Sequence, residues 1–163
     1  MKKIVFVCYR GKTQSSASDP DDLRWLSTLA TTLESHLAGC RDAHIITATA
    51  QRAIDCSLKL ASLVQMSYFG RSVALHSDHG RRGPETGLTV IGRHLSKTEV
   101  LILMTDVNLG GTLATLFCEK TLLMKLDPVT LAAGDACVID CEERRVDFIR
   151  PRPQVLTDPA FSG

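Results

Sequence analysis

The chain has 163 residues, 44% of them hydrophobic and 23% charged, a balance that suits one globular core and excludes a disordered or fibrous protein. Its formal charge of +1 excludes the broad basic face that non-specific nucleic-acid binding needs, so any anion site has to be local. The six cysteines show no Cys-x-x-Cys spacing, which points away from structural zinc and disulfide frameworks and toward reduced thiols in a cytoplasmic protein.

At the N-terminus, Met1-Lys2-Lys3 precedes only Ile4 to Cys8 before polar residues return. That run is too short for a signal peptide, and no stretch approaches membrane-spanning length. Ile4-Val5-Phe6-Val7-Cys8 is wholly apolar with β-branched members, predicting a central parallel strand buried on both faces. A polar loop leads to Asp21 or Asp22, either able to cap a helix whose core stripe is Leu23, Leu26, Leu29, Ala30, Leu33 and Leu37 and whose stop is Gly39.

His44 to Thr49 predicts a second strand. Gln51 to Met66 predicts a helix with Ala53, Ile54, Leu58, Ala61 and Val64 inward, ending near Gly70. Ser72 to Leu75 predicts a third strand, His76 to Gly83 a polar loop, and Pro84 the start of a helix carrying Leu88, Ile91 and Leu95. Val100-Leu101-Ile102-Leu103-Met104 is the second wholly apolar run, hence another central strand, and a helix rich in small residues follows from Asn108 to about Thr121. Ala136–Asp140 and Arg145–Ile149 flank Cys141-Glu142-Glu143-Arg144 as a hairpin closing one edge of the sheet. Strands alternating with helices, then a hairpin, define an α/β fold: a three-layer α/β/α sandwich with a mostly parallel sheet. Residues 1–153 are expected to form one domain, followed by a loosely held tail, 154–163.

In such sheets ligands lie beyond the carboxyl ends of the strands, so the loops after Cys8, Thr49 and Met104 should converge. They supply Tyr9, Arg10, Gly11, Lys12 and Thr13, then Thr47, Thr49 and Arg52, then Thr105, Asp106 and Asn108. Guanidinium forks, hydroxyls and free backbone amides together match phosphate oxygens. Arg10, Gly11, Arg52 and Thr105 are the expected phosphate contacts, with Tyr9, Lys12, Thr13, Asp78, His79 and Asn108 on the rim. The alternative for either arginine is a surface or salt-bridging side chain.

The order of elements resembles the histidine-phosphatase (phosphoglycerate-mutase-like) superfamily, nearest its small SixA-type phosphohistidine phosphatases. The resemblance runs from Lys3 to about Arg150. In that family the first strand ends in Arg-His-Gly, whose histidine attacks phosphorus; Val7-Cys8-Tyr9-Arg10-Gly11 stands there instead, so Tyr9 replaces the motif arginine and Arg10 the nucleophile. The second pocket arginine of the family, in Ser-Pro-x-x-Arg-Ala, is matched by Arg52-Ala53 without the Ser-Pro, and its second histidine falls at Thr105. The acid donor falls near Asp78, His79 or Glu85. Guanidinium stays protonated and cannot attack phosphorus. The resemblance therefore implies a pseudophosphatase that keeps an anion pocket for a phosphorylated ligand or phosphoprotein, with no cofactor, metal, membrane or nucleic-acid partner.

Two other classes of function compete. One is a residual phosphomonoesterase or phosphohistidine phosphatase. It could also be an enzyme like the low-molecular-weight tyrosine phosphatases, using Cys8 as nucleophile with Asp106 as acid; Gln14 stands where that loop needs arginine. The other is a structural or assembly module. His76, Asp78 and His79 have the side-chain types of a metal site but no defined fourth ligand, and they are read as solvated loop residues. His36, His44 and His94 are expected in packing or surface roles.

Overall fold

The computed structural model describes residues 2–10, 20–72, 75 and 84–150. Strands β1 (Lys3–Cys8), β2 (Ala43–Thr47), β3 (Ser67–Arg71), β4 (Val100–Thr105), β5 (Ala136–Asp140) and β6 (Arg145–Ile149) alternate with helices α1 (Pro20–His36), α2 (Gln51–Val64), α3 (Pro84–Leu95) and α4 (Gly110–Leu116). They form one six-stranded sheet in the order β3-β2-β4-β1-β5-β6. The pairs β1–β4, β2–β4 and β2–β3 are parallel, and the terminal hairpin joins β1 antiparallel through β5. The two wholly apolar runs are adjacent central strands, buried along nearly their whole length, as their composition requires.

Handedness places the layers. The chain steps from β1 to β2 to β3 in one direction and then reverses to β4, so right-handed crossovers put α1 and α2 on one face and α3 on the other. The helices pack accordingly, α1 with α2 and α3 with α4. Adjacent strands β1 and β4 thus send their connections to opposite faces, which makes the ends of these strands, Cys8 and Thr105, the topological switch point. At the opposite end, the Lys2 ammonium donates to the carbonyls of Leu95 (2.6 Å) and Thr98 (2.8 Å), a cation at a helix C-terminus as the helix dipole favours.

Several local expectations are corrected. Helix α1 starts at Pro20, so Asp22 lies inside its first turn, where its carboxylate is drawn to Arg52. Leu23 is 50% exposed and Trp25 is buried in its stead. In α2 the buried face is Arg52, Ala53, Cys56, Ser57, Leu60 and Ala61, while Leu58 is 49% exposed; the apolar count alone gave a face rotated from the one that Arg52 anchors.

That helix is stopped by Gln65, left-handed at φ 57°, whose N–H bonds to the Ala61 carbonyl, and not by Gly70. Gly70 sits within β3, beside an irregularity in the β2–β3 register, so the third strand precedes the expected Ser72–Leu75. Helix α4 begins at Gly110, after an Asp106-initiated turn, and widens into a π-helical turn over Phe117–Thr121. The hairpin strands lie where expected. The tail 151–163 and the loop 76–83 fall outside the described residues.

Glycine 111 lets α4 lie against the segment leading to β5: a Cβ there would stand 2.6 Å from the Val129 carbonyl oxygen. Thr115 Oγ1 accepts the Val129 N–H at 2.8 Å across the same seam. Gly111→Ala should therefore cost about 1–3 kcal/mol, as forced overpacking does, lowering the thermal midpoint by several degrees. An unchanged melting curve would contradict this packing.

Candidate functional site

The loops after β1, β2 and β4 do converge. Tyr9 N–H donates to the Thr105 carbonyl at 3.1 Å and Ala48 N–H to the Met104 carbonyl at 3.1 Å. The Arg52 side chain, at the start of α2, reaches across to the β1 loop, its Nε donating to the Arg10 carbonyl oxygen. Its Nη2 donates to Asp22 Oδ2 in a salt bridge whose two side chains are 7% and 3% exposed. A buried cation needs such a partner, since an uncompensated charge costs several kcal/mol.

The Arg10 side chain runs elsewhere. Its stem lies on Gly134, where an added Cβ would stand 3.1 Å from Cδ and 3.2 Å from Cγ, and Gly134 takes φ +89°, a conformation L side chains rarely adopt. Trp25 Nε1 donates to the Gly134 carbonyl at 2.9 Å, so α1 braces both loops, at Asp22 and one turn later at Trp25. The structure thus brings the Arg52 guanidinium to the Arg10 main chain, while the half-buried Arg10 side chain follows the path toward β5.

Tyr9, expected on the rim, is interior: it is 3% exposed, and its hydroxyl is buried without a hydrogen-bond partner among the described residues. Burial first, then the negative charge of Asp106, pushes its phenol up to about 12. Thr105 is wholly buried, its Oγ1 donating to the Val7 carbonyl at 3.3 Å. Gly110 presses over it, an added Cβ standing 2.6 Å from Cys8 Sγ and 2.7 Å from Thr105 Oγ1. Thr105 is therefore a core hydroxyl and not an open phosphate contact.

Cys8 is sealed in the same place, and burial above all pushes its thiol up to about 12, so it is protonated near neutrality. The Asp106 carboxylate accepts the N–H groups of Asn108 (2.9 Å) and Leu109 (3.0 Å), a turn-forming task. Asn108 is exposed. Gly11, Lys12, Thr13, Asp78 and His79 lie outside the described residues, as do His76 and Gln14.

Among the described residues, no group of three or more His, Cys, Asp or Glu is placed to hold a metal, and no helix is long and apolar enough to cross a membrane. The histidines His44 and His94 flank Phe69, and His36 ends α1. Sequence reasoning missed Asp22, Trp25 and Gly134. Only Asp22 left a signal, as a carboxylate in the segment leading into the first helix.

This is the histidine-phosphatase fold, shared with solved phosphohistidine phosphatases and phosphoglycerate mutases. A structure assigned as the phosphohistidine phosphatase SixA of Agrobacterium tumefaciens is similar at a TM-score of 0.65 with 13% identity, over 93% of this chain and 98% of that one. The protein histidine phosphatase SixA complexed with tungstate is similar at 0.65 with 10% identity, over 91% and 97%. Phosphoglycerate mutase of Plasmodium falciparum is similar at 0.54 with 13% identity, over 91% and 88%. No family model matches the chain, and no curated protein sequence does.

Two predictions follow from this geometry. Arg52→Ala leaves the Asp22 carboxylate buried and unpaired, so chemical unfolding should show a loss of about 3–5 kcal/mol; Asp22→Leu combined with Arg52→Met should recover most of it. Second, Cys8 and Cys56 are raised from 9.0 to about 12, chiefly by burial. The native state keeps these protons where the unfolded chain releases them, so stability is full below pH ~9 and falls between about 9 and 12. Urea midpoints should drop across that window; a flat profile would contradict the burial of both thiols.

Proposed function

We propose that the protein is a phosphate-recognising domain on a histidine-phosphatase fold, one that does not turn its ligand over at this site. The observation that carries the proposal is the Tyr9 hydroxyl, buried without a described partner at the mouth of β1 and within electrostatic reach of Arg52. An unsatisfied buried hydroxyl is costly, and an oxyanion entering beside Arg52 would accept from it. On this reading the Arg10 guanidinium, whose stem lies along Gly134, turns from that path to meet the same oxyanion.

Turnover is opposed by the groups at the reacting positions. Arg10 stands where the resembling family has its nucleophile, and a guanidinium offers no lone pair for attack at neutral pH. Thr105, in the place of the second histidine, is sealed under Gly110. Cys8 is a buried thiol with a raised pKa, which disfavours the tyrosine-phosphatase-like route. The tungstate complex of one structural neighbour supports an oxyanion as ligand, since tungstate is tetrahedral like phosphate. On this reading the partner is a phosphate-bearing molecule or phosphoprotein in the cytoplasm.

Asp22 enters as an internal competitor: its carboxylate already occupies one edge of the Arg52 fork. Tungstate or phosphate should raise the melting temperature of the wild type, because a ligand of the folded state alone stabilises it. Arg10→Ala should abolish the rise, and Asp22→Asn should bring it on at lower tungstate concentration. Hydrolysis of an aryl phosphate by the wild type should equal the blank. Arg10-dependent turnover would defeat the proposal in favour of a residual phosphatase, and no shift at millimolar tungstate would favour an assembly module.

A further inference from the structure

We propose that the hollow between β3 and α3 is a second binding site, for a small anion carried on a planar ring. It lies at the edge of the sheet, where β3 pairs only with β2, and encloses about 260 Å³. Ile46 and Val90 give it buried apolar lining, Phe69 an aromatic wall that is 53% exposed, and Arg71, Arg93 and His94 its basic side. None of these residues belongs to the candidate phosphate site.

Three features point to the ligand. First, among the described residues no carboxylate lines the hollow, and neither the Arg71 nor the Arg93 side chain has an ion pair or hydrogen bond there. Two guanidinium forks without a counter-charge among the described residues suit a phosphate or carboxylate group.

Second, His94 lines the hollow and its buried Nδ1 has no hydrogen-bond partner among the described residues, so in the Nδ1–H form this nitrogen is a donor left for an anion oxygen. Burial first, then the positive charge of Arg93 on its own helix, of Lys97 in the turn after it and of His44 on β2, depresses its protonation. Arg71 on β3 adds to the same positive field.

Third, the Phe69 ring is held in place, stacked on His44 at 4.6 Å and edge-on to His94 at 5.0 Å. A large exposed aromatic fixed beside apolar lining is a stacking platform for another ring. The volume is at the small end for ligand pockets, which run from roughly 300 Å³ upward, so it suits one ring with one anionic group.

The test uses Arg10→Ala protein, so that the candidate phosphate site is removed and the two proposals fail separately. Phenyl phosphate and benzoate are titrated while the ring resonances of His94 and Phe69 are followed by NMR. We expect saturable shifts with both probes, and affinity at least tenfold weaker for inorganic phosphate and for benzyl alcohol. Arg71→Gln with Arg93→Gln, or Phe69→Ala, should weaken phenyl phosphate binding about as much while leaving the melting temperature near that of the parent. The His94 pKa should rise on saturation, because the bound anion offsets Arg93, Lys97, Arg71 and His44. Absence of saturable shifts overturns the site. Equal affinity for inorganic phosphate overturns the stacking wall, and binding that survives the double arginine change overturns the charge assignment.

Discussion

The ion pair between Arg52 and Asp22 is the constraint from which the candidate site takes its shape. It joins the first turns of α1 and α2 under the loop that leaves β1, and the same guanidinium fixes that loop by holding the Arg10 carbonyl. A buried arginine is tolerated only with such partners. The face that α2 turns inward, the burial of Tyr9 and the course of Arg10 along Gly134 are all arranged around it. Trp25, one helical turn beyond Asp22, extends the brace to the segment before β5.

The topology places the switch point between β1 and β4, where such sheets hold ligands beyond their strand ends, and the Arg52 guanidinium and the Tyr9 phenol stand beside it. Among the described residues, the side chains at the two strand ends are a buried thiol and a buried hydroxyl. Cys8 and Thr105, the side chains at the paired strand ends, are tied to each other and covered by a glycine that allows α4 to close over them. A floor closed in this way can support binding from above without contributing a nucleophile.

How much of this was legible in the sequence depended on the kind of interaction. The strands β1 and β4 announced themselves because both faces are buried, leaving no polar alternation to obscure the run. The hairpin was legible because a polar tetrad separates two β-rich segments. Arg52 was found through Arg-Ala, but its partner was not: a carboxylate early in a helix looks like a cap, and only tertiary structure shows it turned onto α2. The third strand was misplaced because Gly70 resembles a helix stop, whereas Gln65 made the stop by adopting a left-handed conformation that its side chain does not advertise. Phe69 between two imidazoles had no signature at all, since its neighbours come from β2 and α3.

A crevice that holds phosphate without cleaving it can be tested in one tube by phosphorus NMR, adding the wild-type protein to phosphoramidate at neutral pH. The account predicts saturable broadening of the phosphoramidate signal that Arg10→Ala removes, with inorganic phosphate appearing no faster than in buffer. Accelerated, Arg10-dependent release of phosphate would contradict it, as would a signal that the protein leaves unchanged.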